Sequence, residues 1–218
     1  MLASDYTVIR PDYSELAAHE TIEGYAEELY RQLQSMRVDS AVIIGHSMGG
    51  YTALAFAEAH PDRVRGLGLF SSTAFADDES KKEARQKAMA VLQQDGSAPF
   101  IRETMSKLFG ETVRQEQPAI VDQFIATYSR LPAAALLAGV RAIASRPDRS
   151  HILRESRFPI LVVAGQEDQI IPFEKSQQLF ELSDRITSVV LHKAGHLGMV
   201  ETPVEAAEAI RSFVQEIG

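Results

Sequence analysis

The sequence predicts an α/β fold: a mostly parallel sheet with flanking helices, carrying an all-helical segment. Three observations support this. Strand-like and helix-like segments alternate with short connections. The strand candidate at 42–44 is apolar without interruption, as expected of a strand covered on both faces. From about residue 77 to 157 the alternation stops and helical patterns follow one another. The predicted division is a core of residues 1–76 and 158–218, with a helical cap at 77–157.

The elements follow in order. Residues 6–10 read as a short strand stopped by Pro11-Asp12. Thr21 is placed to cap a helix reaching about Met36, with Ile22, Tyr25, Leu29, Leu33 and Met36 on one face. A strand at 41–44 leads into Gly45-His46-Ser47-Met48-Gly49, and an Ala- and Leu-rich helix then closes at His60-Pro61-Asp62. The next strand is 64–70. Within 77–157, breaks fall near Gly96-Ser97, Gly110, Pro118, Pro132 and Pro147. The cap's apolar positions include Met89, Leu92, Phe100, Ile101, Met105, Leu108, Phe109, Phe124, Tyr128, Leu136 and Leu137. Most are expected to form its own small core and a minority to face the serine. Alternation resumes with a strand at 158–164, a helix at 173–182 and a strand at 187–191, and a helix from Pro203 to about Ile217 ends the chain, its proline suited to the first turn.

Composition excludes several classes of function. The 218 residues suit one domain or a core with a small lobe. With 22 Lys and Arg against 30 Asp and Glu, the net charge of −8 argues against a broad nucleic-acid surface. The absence of cysteine removes disulfides, thiolate metal sites and cysteine nucleophiles. No apolar run approaches a membrane span, and the N-terminus lacks the pattern of a signal peptide, so a cytoplasmic location is expected.

Gly45-His46-Ser47-Met48-Gly49 between a strand and a helix fits the nucleophile-elbow pattern G-x-S-x-G. A serine hydroxyl is a weak nucleophile, so it must be exposed, held in position and served by a base. Glycines at 45 and 49 are expected because a side chain at either place would obstruct the bend and the approach of helix to strand. Gly50 extends the small-residue surface.

Six histidines compete for the role of base. His46 adjoins the serine but should point elsewhere, as a packing or backbone-bonding residue. His19 and His60 read as surface residues near helix ends, His151 lies in the exit from the cap, and His192 ends a strand. His196 stands between Gly195 and Gly198 just past the last strand. In a parallel sheet such loops gather at the strands' carboxyl ends, where the elbow also lies. Asp168 follows the preceding strand in the same way. Glu167 is its local competitor, with Asp77 or Asp78 further off. The chain order Ser47, Asp168, His196 is the one expected for this sheet type and favours Asp168.

With these motifs on view, the chain resembles the α/β-hydrolase family, specifically its capped esterase, lactonase and perhydrolase-like members. The resemblance rests on Gly-His-Ser-Met-Gly-Gly at 45–50, Gly-Gln-Glu-Asp-Gln-Ile-Ile-Pro at 165–172, Ala-Gly-His-Leu at 194–197 and Pro-Asp-Arg-Val at 61–64. It implies Ser47 as nucleophile, His196 as general base and then acid, Asp168 as the residue orienting the imidazole, and the Met48 N–H as an oxyanion donor. The activity implied is hydrolysis of a small carboxylic ester or lactone with an apolar portion, without metal or organic cofactor. Carbon–carbon bond hydrolysis and perhydrolysis use the same triad. A serine at the nucleophile position argues against dehalogenase and epoxide hydrolase chemistry.

The resemblance also exposes a gap. Family members begin with a hairpin-like pair of strands, then a strand ending in His-Gly, then a helix and a strand ending in Pro-Asp. Residues 1–6 resemble the tail of that helix and 6–12 the strand after it, while the earlier strands have no counterpart here. The expectation is a shortened chain, in which backbone groups in what should be the middle of the sheet go unpaired and the second oxyanion donor is missing. The exposed sheet edge offers a route to homo-oligomers. The rival reading is a non-catalytic ligand-binding protein of the same fold, or an impaired fragment lacking half of the oxyanion hole.

Overall fold

The first helix shows how local signals set the framework. Thr21 has extended backbone, and its hydroxyl accepts the Gly24 N–H at 3.2 Å, so the helix starts where the cap was expected. This helix, α1 (Ile22–Ser35), buries Ile22, Tyr25, Ala26 and Leu33. The computed structural model describes residues 2–218, and the remaining elements run in chain order. After α1 come β1 (Ala41–His46), α2 (Met48–Ala59), a single 3-10 turn (Pro61–Arg63) and β2 (Val64–Phe70). Six helices follow: α3 (Glu79–Gln94), α4 (Ser97–Leu108), α5 (Glu111–Glu116), α6 (Pro118–Tyr128), α7 (Ala133–Ser145) and α8 (Ser150–Arg154). The chain ends with β3 (Ile160–Gly165), α9 (Phe173–Phe180), β4 (Ile186–Leu191), the short α10 (Gly198–Glu201) and α11 (Pro203–Ile217).

The four strands form one sheet in the order β1-β2-β3-β4, and every neighbouring pair is parallel. Alternate residues serve opposite faces, which is why the strands read as continuous apolar runs. Leu67, Leu69, Ile160 and Val162 join Ile22, Tyr25, Leu54, Phe56 and Leu179 in one cluster. Phe70, Leu161, Val163 and Leu191 pack with Ala206 and Phe213 of α11 on the other side.

Residues 6–10 are not a strand, contrary to the sequence expectation. They run as irregular chain beside β1 without pairing to it, so β1 is the sheet's edge among the described residues, rather than a strand facing a gap in its middle. Between them lies a cavity of about 390 Å³ that touches Ile9, Tyr13, Leu29, Leu33 and the length of β1. The β-branched run Thr7-Val8-Ile9 marks a chain that could extend. Pairing requires a neighbour at hydrogen-bonding distance, which this segment lacks.

Between β2 and β3, breaks fall at each glycine or proline expected, because α4 follows Gly96, α5 follows Gly110, α6 opens at Pro118 and α7 follows Pro132. Ile101, Met105, Phe109, Val113 and Val121 form a separate small core, joined by Phe100, Leu108, Phe124 and Leu136. Leu197 and Val200, from the segment after β4, also enter it.

Charged side chains secure these helices to the sheet. Asp77, which follows β2, accepts Arg146 of α7's end at 2.8 Å and Arg85 of α3 at 3.2 Å. The Arg146 guanidinium lies 4.1 Å from the ring centre of Tyr51 in α2. Burial pushes the Asp77 carboxyl up, but hydrogen bonding and charge from Arg146, then Arg85, hold it below its usual range. Asp77 is thereby committed to this pair, and Asp78 caps α3 by accepting the Lys81 N–H at 2.9 Å. Neither distant candidate for the acid is available to a histidine.

Because the folded carboxyl titrates below its unfolded value of 3.8, this stabilisation is present above that pH and lost as the pH falls through the folded value. Asp77→Asn is expected to lower stability by about 3–5 kcal/mol at neutral pH, since it leaves Arg146 buried without its counter-charge. Urea unfolding should show the gap between variant and wild type narrowing below about pH 4.

Candidate active site

Ser47 sits at the turn between β1 and α2 with φ 51° and ψ −118°. A non-glycine residue with positive φ is uncommon, and this ψ lies outside the small left-handed well, so the conformation is strained. Three contacts hold it. The Ser47 N–H donates to the Phe70 carbonyl at 3.0 Å, the Gly50 N–H donates to the Ser47 carbonyl at 2.9 Å, and the Ser72 hydroxyl donates to that carbonyl at 2.8 Å. The Ser47 hydroxyl does not cap α2, which leaves it unspent on the helix. Met48 opens α2, so its N–H belongs to the first turn and has no acceptor within the helix.

The glycines differ from expectation in one respect. A Cβ at Gly45 would lie 2.0 Å from the Gly49 carbonyl oxygen, and one at Gly50 2.3 Å from the Ser72 hydroxyl. A Cβ at Gly49 would meet nothing within 4 Å. Gly49 is therefore not required by space; its backbone is what approaches Gly45.

Asp168 and His196 come together. The His196 Nδ1–H donates to Asp168 Oδ2 at 2.8 Å, and both side chains are almost fully buried. Asp168 Oδ1 accepts the N–H groups of Ile170 and Ile171 at 2.8 and 2.9 Å. With hydrogen bonds on both oxygens, the carboxylate is fixed in place and sets the imidazole tautomer with Nδ1 protonated. Glu167, the local competitor, turns the other way: its carboxylate accepts the Thr112 N–H at 2.8 Å and the Thr112 hydroxyl at 2.5 Å.

His46 bridges the elbow and the histidine loop. Its Nε2–H donates to the His196 carbonyl at 2.8 Å, with the two rings 4.9 Å apart. Its role is the packing and backbone bonding expected. Burial, followed by the charge of His196, pushes its pKa down to about 4. At neutral pH it is an uncharged single donor. The other histidines are less idle than the sequence suggested. His60 stacks on Tyr30 at 4.0 Å, His19 packs edge-on against Tyr25, His151 approaches Glu58 at 3.2 Å, and His192 bonds Gln166 at 2.8 Å.

Several residues at the site escaped sequence reasoning. Ser71 has φ 45°, is buried, and donates its N–H to the Val163 carbonyl at 2.8 Å. Ser72 supports the elbow carbonyl. Glu201 accepts the N–H groups of Gly195 and Leu197 at 2.9 and 3.1 Å. The only signal for Glu201 was an acid five positions after His196, which by itself means little. Among the described residues no group of His, Asp and Glu side chains could hold a metal ion, and no helix is long and apolar enough to cross a membrane.

Two measurements test this geometry. Gly45→Ala should destabilise strongly, since its Cβ would strike backbone that cannot yield, whereas Gly49→Ala should leave stability unchanged or raise it by up to about 1 kcal/mol through helix propensity. For His46, the folded value near 4 lies below the unfolded 6.5. Its contribution is full above pH 6.5 and lost as the pH falls toward 4. His46→Gln keeps a donor for the His196 carbonyl, so its unfolding midpoint should fall less than that of wild type across this window.

Residues 4–203 match the family described as the alpha/beta hydrolase fold. A pimeloyl-[acyl-carrier protein] methyl ester esterase from Yersinia enterocolitica is 28% identical over 180 residues, covering 81% of this chain and 70% of that protein. The solved structure of a thermophilic esterase from Thermogutta terrifontis superposes with a TM-score of 0.86 at 28% identity, covering 98% of this chain and 76% of the other. The enol-lactonase from Burkholderia xenovorans LB400 shares the fold, with a TM-score of 0.80 at 18% identity, over 89% of this chain and 73% of its own. A parallel sheet whose first described strand delivers a strained serine, and whose last two deliver a bonded Asp–His pair, agrees with that match: the chain belongs to the α/β-hydrolase-fold family.

Proposed function

We propose that this chain is a serine hydrolase that cleaves a small carboxylic ester or lactone through an acyl-enzyme. The observation that carries the reading is the buried hydrogen bond of His196 Nδ1 to Asp168 Oδ2, at the same edge of the sheet as the strained Ser47. In this reading Ser47 Oγ attacks the carbonyl carbon while His196 Nε2 takes its proton. The imidazolium is stabilised by Asp168 through Nδ1. The oxyanion of the tetrahedral intermediate accepts the Met48 N–H at the positive end of α2. His196 then returns the proton to the leaving alcohol, and in the second half it activates the water that cleaves the acyl-enzyme. The names of the Yersinia and Thermogutta relatives support ester chemistry.

A second reading, a ligand-binding protein that keeps the triad without turnover, is favoured by one observation. β1 is an edge strand among the described residues, so Met48 is the one oxyanion donor assigned. Loss of one such donor typically costs about 10²–10³ in rate.

Short-chain p-nitrophenyl esters and a fluorophosphonate probe decide between them. The expected result is labelling that vanishes in Ser47→Ala, and turnover reduced about 10³-fold or more in Ser47→Ala and His196→Ala. Turnover that survives Ser47→Ala, or a folded wild type that neither labels nor turns over ester, overturns the hydrolase reading.

A further inference from the structure

The histidine loop is held from outside the triad by a carboxylate. Glu201 Oε1 accepts the N–H groups of Gly195 and Leu197, the residues on either side of His196, at 2.9 and 3.1 Å. Its Oε2 accepts the Gly110 N–H at 2.7 Å. Gly110 lies in the turn between α4 and α5, and from the same stretch the Leu108 carbonyl accepts the His196 N–H at 2.8 Å. Three successive N–H groups, at 195, 196 and 197, are thus committed to two acceptors. The two backbones are nearly in contact, since a Cβ at Gly195 would fall 2.3 Å from the Gly110 nitrogen. Glu167, next to Asp168, holds the other side of the turn through Thr112.

We propose that Glu201 is a positioning residue for His196: its carboxylate fixes the backbone on both sides of the histidine and locks the α4–α5 turn against it. The proposal rests on the reading of His196 as the general base. A carboxylate suits the task because its two oxygens accept several N–H groups at once. A neutral amide has one acceptor oxygen and would turn its NH₂ toward an N–H. Burial raises the Glu201 carboxyl above its ordinary value, the three amides opposing that rise and the Glu167 charge adding to it. The group is therefore kept in an environment it does not prefer when charged, as is common where a carboxylate has a task other than solvation. Sub-ångström errors in a base's placement are costly, because proton transfer depends on near-attack geometry.

The test compares wild type, Glu201→Gln and Glu201→Asp by ester turnover and by the deshielded Nδ1–H proton of His196 in ¹H NMR. Glu201→Gln should lower kcat about ten- to a hundred-fold with little change in KM. Its Nδ1–H resonance should broaden or exchange faster at temperatures where circular dichroism shows a folded protein. Glu201→Asp, which keeps the charge but withdraws it by one methylene, should recover part of both signals. If Glu201→Gln does not fold, Glu201→Asp alone carries the same readouts, as a partial loss against wild type. An unchanged resonance in the folded variants overturns the proposal, and so does a fall in melting temperature alone. Failure of the underlying reading would look different: His196→Ala would retain turnover, while the resonance would still report whether Glu201 orders the histidine.

Discussion

Four strands running in one direction set the constraint on which the site depends. Each parallel pair continues its hydrogen-bond ladder one step past the strand. Ser47 donates to Phe70, Ser71 to Val163, and Gln166 to Leu191, at 2.8–3.0 Å. The loops leaving β1, β2 and β3 are therefore tied at their first residue to a carbonyl near the end of the neighbouring strand. Ser47, Asp168 and His196, far apart in the chain, are brought to one edge because all four strands run in the same direction.

Holding the chain there has a cost. Ser47 and Ser71 both carry positive φ at the ends of adjacent strands, and strained residues of this kind cost on the order of 1–3 kcal/mol each. The strain persists because the surroundings over-determine the backbone. Ser72 and Gly50 bind the Ser47 carbonyl from two sides, and the absence of a side chain at Gly45 lets the α2 backbone close against β1. Such local strain, opposed by many small contacts, presents a hydroxyl outward from a turn that would otherwise relax.

The two layers of the molecule are joined by different physics. The sheet is bound to α1, α2, α9 and α11 by apolar clusters that fill both its faces. Of the helices between β2 and β3, α7 and α8 add Ala142 and Leu153 to the sheet's own cluster, whereas α4–α6 keep a small core, and polar anchors add to both: Asp77 with Arg146 at one end, Glu167 and Glu201 at the other. Apolar burial is tolerant of small shifts, whereas buried charged hydrogen bonds hold only in one arrangement.

Much of this was legible in the sequence. Uninterrupted apolar strands alternating with helical periods require a covered parallel sheet, and glycines and prolines mark the helix breaks, because both act through short-range sterics. The strand-end positions of the elbow, Asp168 and His196 were legible too, since they follow from element order. Three things were decided only by tertiary structure. The 6–10 segment has strand-like composition, yet pairing needs a neighbour that composition does not supply. Glu167 and Asp168 are adjacent acids, and only the direction of each side chain, toward Thr112 or toward His196, separates them. Gly45 and Gly49 look equivalent in the motif, but only Gly45 faces a backbone that excludes a Cβ. In each case the sequence determined which local conformations were available, and long-range packing, which depends on residues distant in the chain, chose among them.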